Sequence, residues 1–159
     1  MALKAAATPL VIALTQGGAD AFVQGSVLTG LSGRQAYNLK SVEIEPATLT
    51  TWAQLLAADS SVEIALTRRS KAAMPTIADN DVLFKQTFVI AFTTSGAAFV
   101  TLGTPYNFAL EMPIVEDTIY AQLDSTTTGV VLGALVRMNV ELDTMSDIDR
   151  LNLIARSLS

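Results

Sequence analysis

Four groups of carboxylates are the side chains of this sequence best spaced for chemistry: Glu43 with Glu45, Asp79 with Asp81, Glu116 with Asp117, and the tail set Asp143, Asp147 and Asp149. Two carboxylates about 5–10 Å apart across a cleft hydrolyse glycosidic bonds. Glu43 and Glu45 lie two residues apart on one strand face, which satisfies that spacing. The rest of such a site is missing. Histidine is absent, and aromatic residues make up only 6% of the chain, too few to line a sugar cleft. A solvated strand edge is the better reading, and no catalytic residue is assigned.

The runs "ADND" (Ala78–Asp81) and "EDT" (Glu116–Thr118) offer oxygen ligands of the kind calcium takes, but neither has the spacing of a calcium loop. Asx turns that cap loops explain them better. Cys and His are both 0, which removes thiolate and imidazole metal ligands and the commonest general base. No serine sits in a nucleophile elbow, and Gly17-Gly18 lacks the lysine of a phosphate loop. No cofactor or metal is expected.

One basic cluster stands out, "TRRSK", with Arg68, Arg69 and Lys71. It is read as a solvated loop at a strand end. The net charge of −5 argues against a sequence-independent nucleic-acid binder, whose affinity comes from many Lys and Arg on phosphates. No specific nucleic acid is expected as a partner.

The elements that position these residues read almost entirely as strands. Alternation predicts strands over Pro9–Thr15, Ala21–Gly30 and Ala36–Pro46, with a phase change that predicts a bulge near Lys40 or Ser41. "SVEIALT" predicts Val62, Ile64 and Leu66 inward, with Glu63, Ala65 and Thr67 outward. A long strand carries Phe84, Phe88, Ile90 and Phe92 on one face, then turns at Ser95-Gly96 into Ala97–Gly103. "YNFALEM" predicts another strand, with Tyr106, Phe108, Leu110 and Met112 on one face; "PIVED" predicts a loop. "TIYAQLD" and the closing run Gly129–Leu142 complete eight or nine strands.

Two helices interrupt the pattern. Thr51–Ala57 has a capping box with Gln54 and an apolar face of Trp52, Leu55 and Leu56. Residues 146–158 form a second helix, with Ser146 and Asp149 as its capping box and Ile148, Leu151, Ile154, Ala155 and Leu158 as one apolar stripe. A helix this short is marginal alone in water, so the stripe is expected to pack on something.

Strands joined by turns without alternating helices mean an all-β antiparallel sandwich, here an eight-stranded jelly roll formed by the single domain 1–159 with the tail helix appended. An immunoglobulin-like sandwich comes second, since no Cys pair brackets Trp52. Residues 1–21 are read as mature protein, because Lys4 and a short apolar run broken by Pro9 make a poor leader.

Half of the residues are hydrophobic and only 16% charged, against about 25% charged in an ordinary domain. No apolar run reaches the roughly 18–20 residues of a membrane span, so no transmembrane segment is expected and the surplus is assigned to partners. It is concentrated on the last strand. Leu132, Ala134, Val136, Met138, Val140 and Leu142 share one face; the other begins apolar with Val131 and Leu135 and ends polar with Arg137, Asn139, Glu141 and Asp143. Val131, Leu135, Ile148, Leu151 and Leu158 are therefore the expected subunit contacts.

Laid out this way, the chain resembles the single jelly-roll capsid proteins of non-enveloped or internally membraned viruses. The resemblance rests on the strand count, the helix inserted at Thr51–Ala57, and the ending "TIYAQLDSTTTGVVLGALVRMNVELD" followed by a short capped helix. It implies a self-assembling virion subunit, made in the host cytoplasm, whose partners are its own copies and a second coat protein. The chain departs from many such proteins by lacking a basic N-terminal arm, which implies no genome contact there and a membrane or protein layer beneath the shell. The alternative is a carbohydrate- or protein-binding sandwich, as in lectin-like domains or phage decoration and fibre proteins, which requires an exposed aromatic-lined groove.

Overall fold

A computed structural model describes residues 9–47, 60–90 and 105–158. Nine strands and one helix occupy them: β1 (Leu10–Thr15), β2 (Val23–Leu28), β3 (Gln35–Pro46), β4 (Ser60–Thr67), β5 (Val82–Ile90), β6 (Tyr106–Asn107), β7 (Pro113–Ile114), β8 (Thr118–Thr126), β9 (Gly133–Thr144) and α1 (Asp147–Leu158). The predicted helix at Thr51–Ala57, the turn at Ser95-Gly96 and the strand at Ala97–Gly103 lie outside the described residues.

Two antiparallel sheets pack face to face, as the all-β sandwich reading expects. One sheet runs β1-β9-β3-β6, with β7 also paired to β3; the other runs β2-β8-β4-β5. Their inner faces share one apolar core. Ile12, Leu39, Val42, Val136 and Met138 face Val62, Ile64, Leu66, Ile119 and Leu123 across it, and each such burial is worth roughly 1.5–3 kcal/mol.

The predicted bulge is present, between Leu39 and Ser41. Its purpose is visible in the burial. Strict alternation would send Leu39 and Val42 to opposite faces; the extra residue, the exposed Lys40, lets both enter the core.

Four expectations need correction. "YNFALEM" is a strand only over Tyr106–Asn107, and Leu110 is 83% exposed, whereas Phe108 and Met112 are half-buried against the core. The chain here is held to β3 by isolated bonds, Phe108 N to Lys40 O and Leu39 N to Met112 O. "PIVED" is not a plain loop: Pro113–Ile114 pairs with β3 at Tyr37 and Asn38, and Ile114 and Val115 are buried. Ala65 and Thr67 point away from the core but are fully buried, for a reason given below. Glu43 and Glu45 are half-buried rather than solvated, opposite Arg137 and Leu135 of β9.

Both β1–β2 and β8–β9 cross from one sheet to the other, and one polar clasp ties the two crossings together. Buried Gln16 accepts from Leu132 N and donates to Ala21 O and Ser125 Oγ, each at 2.9 Å. Asp20 accepts from Ser125 Oγ, from Thr128 N and from Thr128 Oγ1, the last at 2.6 Å. Asp20 itself sits at φ +57°, a left-handed conformation that Asp and Asn tolerate better than other side chains. The Thr128 hydroxyl, with help from the Thr128, Ser125 and Gly129 donors, outweighs desolvation and holds the Asp20 carboxyl below its ordinary value of 3.8.

A lowered folded value means that the clasp's charge contribution is complete above pH 3.8 and is lost as the pH falls through the folded value. Asp20→Asn keeps the turn and removes the charge. It is expected to cost roughly 1 kcal/mol near neutral pH, in urea unfolding, with the gap to the parent closing below pH 3.8. A pH-independent gap would show that the charge contributes nothing.

Candidate functional site

The outer face of the β2-β8-β4-β5 sheet is occupied by the chain itself. The segment from Arg68 to Asp81 folds back over it, which is why Ala65 and Thr67 are buried. Gln122, also fully buried, donates to Thr67 Oγ1 and Gln24 Oε1; Gln24 in turn accepts from Lys71 N and donates to Ser70 Oγ. Lys71 reaches Asp81 at 2.9 Å, and Lys85 bridges Glu63 and the Pro75 carbonyl.

This return segment absorbs most of the predicted basic cluster. Arg68 donates to both oxygens of Glu116 at 2.9 Å and to Pro113 O at 2.7 Å, with the two side chains only 11% and 16% exposed. Lys71 pairs with Asp81 and, more loosely, Asp79; Arg69 is exposed at the turn. The cluster is therefore no solvated loop. Arg68 braces the return segment against the Pro113–Asp117 connection, and two of the predicted carboxylate groups are spent holding the cations.

The two sides of the sandwich differ. On the β1/β2 side the sheets close tightly over Gly25: a Cβ there would lie 2.8 Å from Ile12 Cγ2 and 3.1 Å from the Ala13 carbonyl. On the β5/β6 side they stand apart around a groove of about 390 Å³, lined by Ile77, Phe84, Lys85, Tyr106, Phe108 and Met112 among others. Three rings form its wall, with Tyr106 5.4 Å from Phe84 and 5.1 Å from Phe108. Ile77 at the rim is 79% exposed and Tyr106 53%. Sequence reasoning missed this groove; the rings are 22 residues apart in the chain, from Phe84 to Tyr106.

The predicted contact residues fall in two separate places. Val131 and Val11 are exposed, and Leu135 is half-buried, on the outer face at the Gly133 end of β9. Leu135 pairs with Ala13 on one side and Glu45 on the other, so this apolar patch is flanked by carboxylates. α1 leaves from the opposite end of β9. Its capping box forms, Ser146 Oγ accepting from Asp149 N. Arg34 grips Asp147 at 2.9 Å, and Met145 N donates to Arg34 O. The stripe does not pack as expected: Ile148 is 72% and Leu151 65% exposed, while Arg150 and Leu153 are the less exposed positions. The Leu158 side chain lies outside the described residues.

What remains is a body with no clustered metal ligands among the described residues, no described helix long and apolar enough to cross a membrane, and exposed apolar surface at the groove, on the Val11–Leu135 patch and along α1.

Truncating Arg68 to Ala would strand Glu116 in a mostly buried place with only the Val115 N–H left to it. The expected loss is about 3 kcal/mol, or a Tm lower by roughly 6–12 °C in a chain of this size. A shift under about 2 °C by calorimetry would mean that the pair holds nothing. No protein-family model matches the sequence, and no curated protein matches it significantly.

Proposed function

We propose that the protein is a virion structural protein, a jelly-roll subunit that assembles with copies of itself into a shell, without cofactor and without a catalytic step. One observation carries this reading: the chain leaves apolar surface exposed at places its own fold does not cover, and the tail helix presents its stripe to solvent.

The strand pairing supports the jelly-roll part. Among the described residues, counting β6 and β7 as one interrupted strand leaves eight, and the pairs β1–β9, β2–β8, β3–β6/β7 and β4–β5 are then first with last, second with second-last, and so inward. That nesting is what a single long hairpin keeps when it is rolled so that β9 also meets β3 and β8 also meets β4. In the same reading the subunit belongs to the virion and meets a second coat protein or a membrane layer below.

The test is light scattering on purified protein across concentration, salt and pH, with negative-stain microscopy of any large fraction. Closed rings or shells are expected, and Leu135→Asp is expected to leave a folded monomer. A parent chain that stays monomeric throughout would overturn the reading; assembly unaffected by Leu135→Asp would remove the β9 patch from the contact.

A second reading, a carbohydrate-binding sandwich, is favoured by the ring-lined groove, since aromatic faces and a polar rim suit a sugar. It predicts binding on a glycan array that Tyr106→Ala lowers at least tenfold. No glycan bound at millimolar concentration would end it.

A further inference from the structure

β9 outruns its neighbour along one edge. β1 ends at Leu10, opposite Met138, while β9 runs on to Thr144. In an antiparallel pair, opposed residues either bond each other or turn their polar groups away together. Gln16 N donates to Leu132 O, so the even-numbered residues of β9 turn their amide groups toward β1. Leu39, opposite Val140, bonds Met112 rather than β9, which gives the same phase beyond the bulge. Val140 and Leu142 therefore direct N–H and C=O groups to an edge where, among the described residues, no strand lies. Apolar cover thins at the same end: Val140 is buried, but Leu142 and the opposed Tyr37 are half-buried. We propose that residues 4–8 of the same chain continue β1 along this edge and complete its pairing as far as Thr144.

Position, register and residue type select this occupant. Residues 4–8 stand directly before Pro9 and β1, so no turn is needed to bring them to the edge. Continued without a bulge, the β1–β9 register sets Thr8 opposite Val140, Ala7 opposite Glu141, Ala6 opposite Leu142, Ala5 opposite Asp143 and Lys4 opposite Thr144. Pro9 falls opposite Asn139, at a phase whose nitrogen faces away from β9, where a proline costs the ladder no bond. A proline also restricts the residue before it to extended backbone. Thr8 and Ala6 share the inward phase of Val140 and Leu142, and both are small enough to enter beside a core edge that is already half covered. The segment's one charge, Lys4, comes to the end of β9 that carries Glu141 and Asp143.

An unpaired strand edge is a template for any other extended chain. Filling it from within removes that template beside the foot of α1, where Met145 N bonds Arg34 O. The closure needs no second copy, so it stands whether or not copies assemble.

The absence of cysteine makes the test clean, because any disulfide must join residues introduced by substitution. Ala7 and Glu141 would face each other as a pair without mutual hydrogen bonds, with α-carbons about 4.5 Å apart, within disulfide reach. Under mild oxidation of dilute protein, the double variant Ala7→Cys/Glu141→Cys is expected to close within one chain. It should do so roughly ten times faster, or more, than Ala6→Cys/Glu141→Cys, whose side chains take opposite faces. Equal rates overturn the proposal. So does a mixture of the single variants Ala7→Cys and Glu141→Cys that links two chains as fast as the double variant closes at the same concentration, which would put a second copy's segment on the edge. Amide exchange reads the parent chain without substitution. The Val140 and Leu142 N–H groups are expected to exchange as slowly as those of Ala134 and Val136, which β1 pairs. Exchange at the rate of an open amide at Val140 and Leu142 overturns the proposal as well.

Discussion

The ladder between β3 and β9 carries the architecture. Both strands are 12 residues long and pair from Gln35 with Thr144 to Pro46 with Ala134. Among the described residues β1 is attached only to β9 within its sheet, and β6 and β7 only to β3, so this ladder is the spine of the described sheet. The register of this ladder is fixed by the bulge at Leu39–Ser41. A slip of one residue would turn Val136, Met138 and Val140 out to solvent and bring Arg137 and Asn139 into the core. The cost of burying an unpaired arginine there exceeds any gain from a different pairing. The same ladder places Gly133 and Leu132 where Ala47 and Gln16 bond them, and through Gln16 and Asp20 it reaches the second sheet.

Closure of the sandwich is unequal, and the apolar surface left exposed at the groove follows from that. Gly25 removes the side chain that would keep β1 and β2 apart. The other side is propped by three rings, which are too large for the sheets to meet over. The outer face of the second sheet gains a polar cover from the Arg68–Asp81 segment, at a cost: Gln122 Oε1 is buried without a hydrogen-bond partner, a penalty of roughly 1–3 kcal/mol. The cover is held instead by the Arg68–Glu116 and Lys71–Asp81 pairs.

Most of the fold was legible because alternation reports which face a residue takes. β4, β8 and β9 show their inward residues directly, the phase change at Lys40 exposes the bulge, and Ser146 with Asp149 marks the start of α1. Alternation says nothing about cover. Ala65, Thr67 and Gln122 read as outward, and they are; their burial depends on a segment that folds back and on Glu116, 48 residues from Arg68. In "YNFALEM" the apolar spacing is regular, yet beyond Asn107 regular strand pairing ends and Leu110 swings out. The stripe of α1 was legible as a stripe. That it faces away from the body was not, because helical periodicity does not say which neighbour a face meets. The groove was illegible for the same reason, being made by rings on different strands.

The energetics of α1 show how little its own chain does to hold it. Isolated helices shorter than about 12–15 residues are marginal in water. The capping box contributes on the order of 1 kcal/mol. The Arg34–Asp147 pair, with both side chains nearly two-thirds exposed, belongs to the class of surface ion pairs worth at most about 1 kcal/mol. These contributions fix where the helix starts and how it leaves β9, but they are too small to hold 12 residues in one orientation. Burial of Ile148 and Leu151 would add roughly 1.5–3 kcal/mol each, more than the cap and the ion pair together. The helix is therefore aimed by its own chain, and any surface that received its stripe would stabilise it by more than its own cap and ion pair do.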